Sequence, residues 1–304
     1  MRKIFVGIAH GICLLVCVSV NSWEYIPNPE SNYFSLSHTE GRGLGYTQGY
    51  SSLDLFLVQP TGKNLIIPFL DLRGHIFNNG KFARNTGIGL RWLNPSFRQV
   101  WGVNFFYDFY RTSRLHYHQL GIGLEMLGKA WDFRLNGYLP VGRKKTQIYA
   151  LSYDFSSGFM AKTREQFAMA GIDAELGYHF CKMQCLDMYA GFGPYAYWGN
   201  SKKTKKVFHT AHKAAFGGRA SFSVIFLTYC ELCATAAYDS RFKWTGQTTF
   251  SLNLPFDCWF SNSDVYFSDK LEERYYQPVR RNEIIVIDRI NRFSSNPEIL
   301  IPGL

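Results

Sequence analysis

The side chains with the widest chemical repertoire here are cysteines. Cys181 and Cys185 are separated by three residues, Cys230 and Cys233 by two, and Cys258 stands apart. A structural zinc site needs repeated C-x₂-C pairs that can close a tetrahedron, and these spacings do not supply them. In an exported chain that loses Cys13 and Cys17 with its leader, the remaining five of the seven cysteines read as two disulfide pairs plus a spare thiol, with the connectivity open. Packing as small hydrophobes is the alternative. Gly-x-Gly units recur at 43/45, 87/89, 121/123 and 191/193, and residues 191–196 run G-x-G-x-x-A. A dinucleotide fingerprint belongs at a strand-to-helix turn, whereas these lie within alternating strands. Their expected role is to make room for bulky neighbours. Asp71 and His75 share one predicted strand face, but no nucleophile accompanies them. H-E-x-x-H, G-x-S-x-G and P-loop sequences are missing from the chain. No enzyme, metal or cofactor is expected.

The densest run of charge is Lys202, Lys203, Lys205 and Lys206, followed by His209, His212 and Lys213. It is either a solvated loop or an electrostatic trap for lipopolysaccharide phosphates or acidic host glycans. A nucleic-acid partner is excluded by the export signal. Arg2 and Lys3 precede an apolar stretch over residues 4–20, and Val20-Asn21-Ser22 offers small residues for cleavage. Residues 1–22 therefore read as a secretory signal peptide, with a retained anchor helix as the alternative. Val16 before Cys17 is too large for a lipoprotein site.

These groups need a scaffold, and composition narrows it. The 304 residues are 18% charged, 46% hydrophobic and 17% aromatic, too rich in apolar residues for a disordered chain. Mean hydropathy is −0.15, and no apolar run of about 18 residues follows the N-terminus, which excludes a bundle of membrane helices. Period-two alternation dominates instead. In residues 86–92, Ile88, Leu90 and Trp92 share one face, and Gly87, Gly89 and Arg91 the other. In residues 120–126, Leu120, Ile122, Leu124 and Met126 oppose Gly121, Gly123 and Glu125. Segments of this kind fall at about 44–59, 65–77, 82–94, 99–110, 115–127, 131–140, 146–156, 166–180, 185–198, 213–226, 229–240 and 246–257. Strands of roughly 10 to 14 residues in an even number fit an antiparallel transmembrane barrel better than a soluble sandwich, whose strands cluster near 5–6 residues.

If the segment at 44–59 rises from the periplasm, the longer connections at 156–166, 199–212 and 240–245 face outward together with 59–65, 95–98 and 128–130. Trp92, Trp101, Trp131, Trp198 and Trp244 then gather near one outer edge, and all five cysteines near the inner one. The polar faces carry Asp71, Arg73, Arg91, Asp108, Glu125, Asp132, Arg134, Asp173, Glu175, Asp187, Arg219, Glu231 and Asp239. These charges are expected to face the lumen, because a charge in lipid costs about 2–4 kcal/mol at mid-depth.

At this point the chain resembles a family. Residues 101–108 (WGVNFFYD), 120–125 (LGIGLE) and 135–138 (LNGY) look like successive barrel strands of the intimin/invasin family, the inverse autotransporters, and 279–286 (VRRNEIIV) is similar to the family's step from barrel to linker. The resemblance implies a twelve-stranded outer-membrane barrel and a linker that re-enters the pore to carry a passenger outward. Residues 268–276 can form a short helix that Pro278 would stop, and residues 282–304, at up to about 3.3 Å each, are long enough to cross a membrane.

The expected organisation is therefore a signal peptide (1–22), a periplasmic lead (23–42), a barrel (43–258), a periplasmic linker with a short helix (259–281) and an extended pore-threading tail (282–304). Arg274, Arg280, Arg281 and Arg289 are expected to dock the linker onto the lumen acids. The expected function is an inverse-autotransporter barrel in the bacterial outer membrane, without a passenger domain, that displays its loops and a short tail as a translocator or adhesin remnant. A small-solute porin is the alternative. Expected partners are outer-membrane lipid and lipopolysaccharide, the barrel-assembly machinery, and host surface molecules or a separately encoded passenger.

Overall fold

A computed structural model of the protein describes residues 32–58, 66–94, 96–112, 115–142, 145–154, 158–183, 186–199, 214–226, 230–255 and 271–294. The signal peptide, the lysine cluster at 202–213, Cys185 and Cys258 lie outside these residues.

Twelve strands close into an antiparallel barrel: β1 (Tyr33–Arg42), β2 (Tyr50–Val58), β3 (Ile66–Phe77), β4 (Phe82–Asn94), β5 (Gln99–Arg111), β6 (His116–Leu127), β7 (Trp131–Val141), β10 (Ala170–Met183), β11 (Leu186–Trp198), β12 (Ala215–Phe226), β13 (Cys230–Asp239) and β14 (Lys243–Pro255). β1 pairs with both β2 and β14 and so closes the ring. The hairpin β8 (Lys145–Asp154) and β9 (Gly158–Ala168) leaves the barrel between β7 and β10, and β15 (Ile287–Ser294) adds to it as a third strand.

Alternation makes this architecture inside out relative to a soluble protein. Along β5, Val100, Gly102, Asn104, Phe106, Asp108 and Tyr110 are buried, while Trp101, Phe105 and Tyr107 are exposed. Ile88 (59% exposed), Phe105 (54%), Ile122 (50%) and Leu139 (57%) form an apolar outer band. An apolar exterior around a charged interior is stable only where lipid is the outer solvent. The strands of about 9–14 residues match the length needed for a tilted crossing.

The predicted and observed strand sets both number twelve but are not the same. Residues 33–42, read as part of a periplasmic lead, form β1; the outward row of β1 fades from Phe34 and Leu36 into His38 and Glu40, which hides it from a hydrophobic pattern. The segment predicted at 146–156 belongs to β8 in the external sheet, since any two-faced sheet alternates with the same period. Residues 44–49, assigned to the first strand, belong to the β1–β2 turn, which also holds Gly43 and Gly45.

The two differences cancel in the count but not in strand direction. Call the end where β1 begins proximal and the other distal. The connections at 59–65, 95–98 and 128–130 are proximal and those at 78–81 and 112–115 distal, so the first three lie at the opposite end from the β11–β12 and β13–β14 connections, with which they were expected to share one side. Trp92, Trp101 and Trp131 therefore lie near the proximal rim, and Trp198 and Trp244 near the distal one. The tryptophans mark both interfaces, as aromatic girdles do.

Where a short helix was expected, the described residues hold a five-residue 3-10 helix, Glu272–Tyr276, without a side-chain N-cap. It does not hang below the barrel. Leu271, Tyr275, Tyr276 and Val279 pack with Phe56, Val58, Phe69, Phe106 and Leu127 inside the proximal opening.

Candidate functional site

The lumen is occupied by the chain's own C-terminal segment, and the strand register prepares its seat. Arg73 lies beside Asn85, Asn85 beside Asp108, and Asp108 beside Gln119, giving one polar row across β3 to β6. A second row runs Arg91, Gly102, Glu125, Arg134 and Glu175 across β4 to β7 and β10. Period-two geometry points all of these inward.

At the proximal opening, Arg274 is fully buried. Its guanidinium donates to the Gly128 carbonyl at 2.7 Å and to His179 Nε2 at 2.9 Å, and lies 3.5 Å from Asp132 Oδ1. His179 Nδ1 in turn meets Asp187 at 2.9 Å. From the opposite wall, Arg91 Nη1 donates to the carbonyls of Arg274, Tyr275 and Gln277 at 3.2, 2.8 and 2.6 Å, so one arginine holds the end of the 3-10 helix through its backbone. The same guanidinium pairs with Glu125 at 2.9 Å.

Mid-barrel, Arg280 pairs with Glu231 at 3.0 Å and lies over the Tyr189 ring, 4.3 Å from its centroid. Arg281 makes a two-pronged contact with Asp108, at 2.9 and 2.6 Å, and stacks 4.2 Å from the Phe106 centroid. Planar bidentate pairing with a stacked aromatic is a geometry that arginine meets and lysine does not. The Asn282 amide donates to Tyr138 Oη at 2.8 Å. Arg73 donates to the Val279 carbonyl at 2.7 Å and pairs with Glu283. Asn85 Nδ2 donates to the Glu283 carbonyl at 2.8 Å.

At the distal opening, Ile284, Ile285 and Ile287 pack among Tyr46, Tyr50, Phe77, Tyr110 and Tyr117. The Met169 amide donates to the Val286 carbonyl at 2.9 Å. β15 then pairs with β9 from Ile287 opposite Ala168 to Ser294 opposite Ala161, and Asp288 pairs with Arg241 at 2.8 Å.

Of the charges singled out in the sequence, Arg73, Arg91, Asp108, Asp132 and Glu231 touch the threaded segment directly. Asp71 and Glu125 steady Arg73 and Arg91. Arg134 bridges Asp132 and Glu175, and Arg219 approaches Asp173 at 3.6 Å. Asp239 accepts from Tyr195 at 2.7 Å and from the Arg241 amide at 2.6 Å, so it shapes the β13–β14 turn. Arg274, Arg280 and Arg281 dock, but Arg289 does not: it lines the distal mouth with Lys81, Asn79 and Tyr110, because it lies on β15 beyond the lumen.

Asp71 is held by Arg73, while His75 is held by Ser52 at 2.6 Å and Asn85 at 2.7 Å, so the two do not act as an acid–base pair. Cys181, Cys230 and Cys233 are not joined to one another. Asn136 Nδ2 also donates to the Arg280 carbonyl at 3.3 Å. Glu283, Asn85, Asn136 and Tyr138 were not singled out in the sequence, because attention fell on cations in the tail and charges on the wall; for Asn85, Asn136 and Tyr138 the available signal was their position on alternate, inward-facing residues.

Comparison with known proteins agrees with this geometry. No curated protein matches the sequence. A membrane protein solved in a study of in-meso crystallization superposes with a TM-score of 0.55 at 18% identity, covering 85% of this chain and 100% of its own, which shows a shared fold. An outer membrane channel from Pseudomonas putida gives 0.46 at 14% identity (78% and 100% covered), and the β-domain of the Bordetella autotransporter BrkA gives 0.30 at 10% (74% and 99%). The model of the inverse autotransporter β-domain matches residues 45–283, from the first distal turn to the glutamate held by Arg73. A match over more than half of the chain, joined to a closed twelve-stranded barrel, shows that this protein belongs to the inverse autotransporters and is a β-barrel of the bacterial outer membrane.

Proposed function

We propose that the barrel is a translocator that holds its own C-terminal segment across the outer membrane, with the proximal end in the periplasm and the distal end at the cell surface. The observation that carries this reading is the path of residues 271–294, which enter beside the β6–β7 turn, pass through the lumen and leave as β15 of an external sheet. The direction follows from connection length. At the distal end 28 residues separate β7 from β10 and 16 separate β11 from β12, while at the proximal end three separate β6 from β7 and two separate β10 from β11, and external loops of such barrels are the long ones.

On this reading β15 is held by strand addition, the same main-chain pairing that captures extended peptides. The partners are outer-membrane lipid, the barrel-assembly machinery and, at the surface, molecules that meet the β8–β9–β15 sheet. An epitope tag fused after Leu304 tests the route. Antibody should reach it on intact cells as readily as after permeabilisation; reactivity that needs permeabilisation would reverse the direction.

A further inference from the structure

The lipid-facing wall is apolar along its middle, but its distal edge across β4, β5 and β6 is basic. Arg84, Arg111 and His116 are exposed and His118 partly so. Register places Arg84 opposite Phe109, Phe109 opposite His118, and Arg111 opposite His116, so the four side chains share one outward patch within about two outward positions of the strand ends. The patch is braced by aromatics. The Arg84 guanidinium lies 5.2 Å from the Phe109 centroid, and Phe109 stacks on His116 at 5.4 Å with an interplanar angle of 19°. Tyr107 Oη and His118 Nδ1 are 2.6 Å apart.

Among the described residues none of the four is paired with a carboxylate. The outward acid at this end, Glu40 on β1, is engaged by His38 and by Asn78. Below the patch the outward positions turn apolar, with Ile88, Phe105, Leu120 and Ile122 exposed. Cations at the headgroup level cost roughly 0–1 kcal/mol against about 2–4 at mid-depth, so this is the depth at which a basic cluster is tolerated. Arg84 and Arg111, fixed cations without acidic partners, call for an anion, and arginine forks fit phosphate oxygens.

We propose that this patch is a binding site for the phosphates of lipopolysaccharide in the outer leaflet. The inference rests on the distal end facing outward, since only that leaflet holds this lipid.

The test uses the full chain refolded in detergent, with its fold checked by heat-modifiable gel mobility. Purified lipopolysaccharide, the same lipid stripped of its phosphates, and phosphatidylglycerol are titrated and followed by native mass spectrometry. The unaltered protein should bind intact lipopolysaccharide most tightly. Arg84→Gln with Arg111→Gln should weaken binding at least about tenfold, as loss of charge-assisted contacts would, and phosphate removal should weaken it as much. Arg84→Lys with Arg111→Lys should keep an intermediate affinity.

Equal binding by the glutamine variant, equal binding of the dephosphorylated lipid, or phosphatidylglycerol binding as tight as lipopolysaccharide would each overturn the site. Binding in detergent does not depend on the direction of insertion. Failure there therefore condemns the site alone, whereas the intact-cell antibody experiment reports on direction.

Discussion

Arg91 and Glu125 sit on β4 and β6, strands that do not touch, and their 2.9 Å ion pair passes over Gly102 on β5. A Cβ at Gly102 would lie 3.1 Å from Glu125 Oε2 and 3.2 Å from Arg91 Cγ. The missing side chain is what lets a pair form across an intervening strand. Because the same arginine also holds three carbonyls of the threaded segment, wall and plug share one fastening.

Replacing Arg91 with alanine leaves Glu125 buried beside Gly102 without its ion-pair partner and removes the donor to the carbonyls of Arg274, Tyr275 and Gln277. Removing one partner of a buried pair costs about 3–5 kcal/mol. Urea titration of the refolded barrel, followed by tryptophan fluorescence, should show a loss of that order. Gly102→Leu should lose stability by wedging the pair apart, while Gly102→Ala asks only a few tenths of an ångström of each neighbour and should cost much less.

Arg281 and Asp108 should be energetically coupled. A double-mutant cycle with Arg281→Ala and Asp108→Asn should give an interaction of about 1–3 kcal/mol, read from unfolding in detergent. Gly121 offers an independent route to the same contact, since a Cβ there would approach Arg281 Nη2 to 2.7 Å. Gly121→Val should loosen the docked segment without touching either charge, and limited trypsin digestion should then cut within 280–294 faster than in the parent.

Deletion of residues 271–304 should open the pore. The segment fills both ends, with Tyr275 and Tyr276 at one and Ile284 and Ile285 at the other, and its loss would expose Arg73, Arg91 and Asp108 to water. Planar-bilayer recording should give a steady conductance for the truncated barrel and far less for the full chain. A large, steady current from the full chain would instead favour the porin reading.

Insertion direction can be read from single cysteines in a background with the native ones changed to serine. Asn79→Cys, in the β3–β4 turn, should react with an impermeant maleimide on intact cells. Lys129→Cys, in the β6–β7 turn, should react only after the outer membrane is opened. The reverse pattern would turn the barrel over.

The sequence by itself determined which residues face inward, because successive side chains of a strand alternate whatever the strand's neighbours are. Asp71, Arg91, Asp108 and Glu125 were legible for that reason, whereas Arg280 and Arg281 were legible as docking residues from their charge on a tail that the family resemblance sends into an acid-bearing lumen. The same periodicity carries no record of partner or direction. It could not distinguish β8 in the external sheet from a barrel strand, it passed over β1 once His38 and Glu40 broke the apolar row, and it therefore reversed the sense of β2 to β7 relative to β10 to β14. Tertiary structure decided those points, because closure needs β1 to hydrogen-bond both β2 and β14. It also decided that Arg281 meets Asp108 while Arg289 passes beyond the lumen. How far along the pore each docking residue lies depends on where the 3-10 helix seats and on the register of β15 against β9, and both are set by contacts between residues distant in the chain.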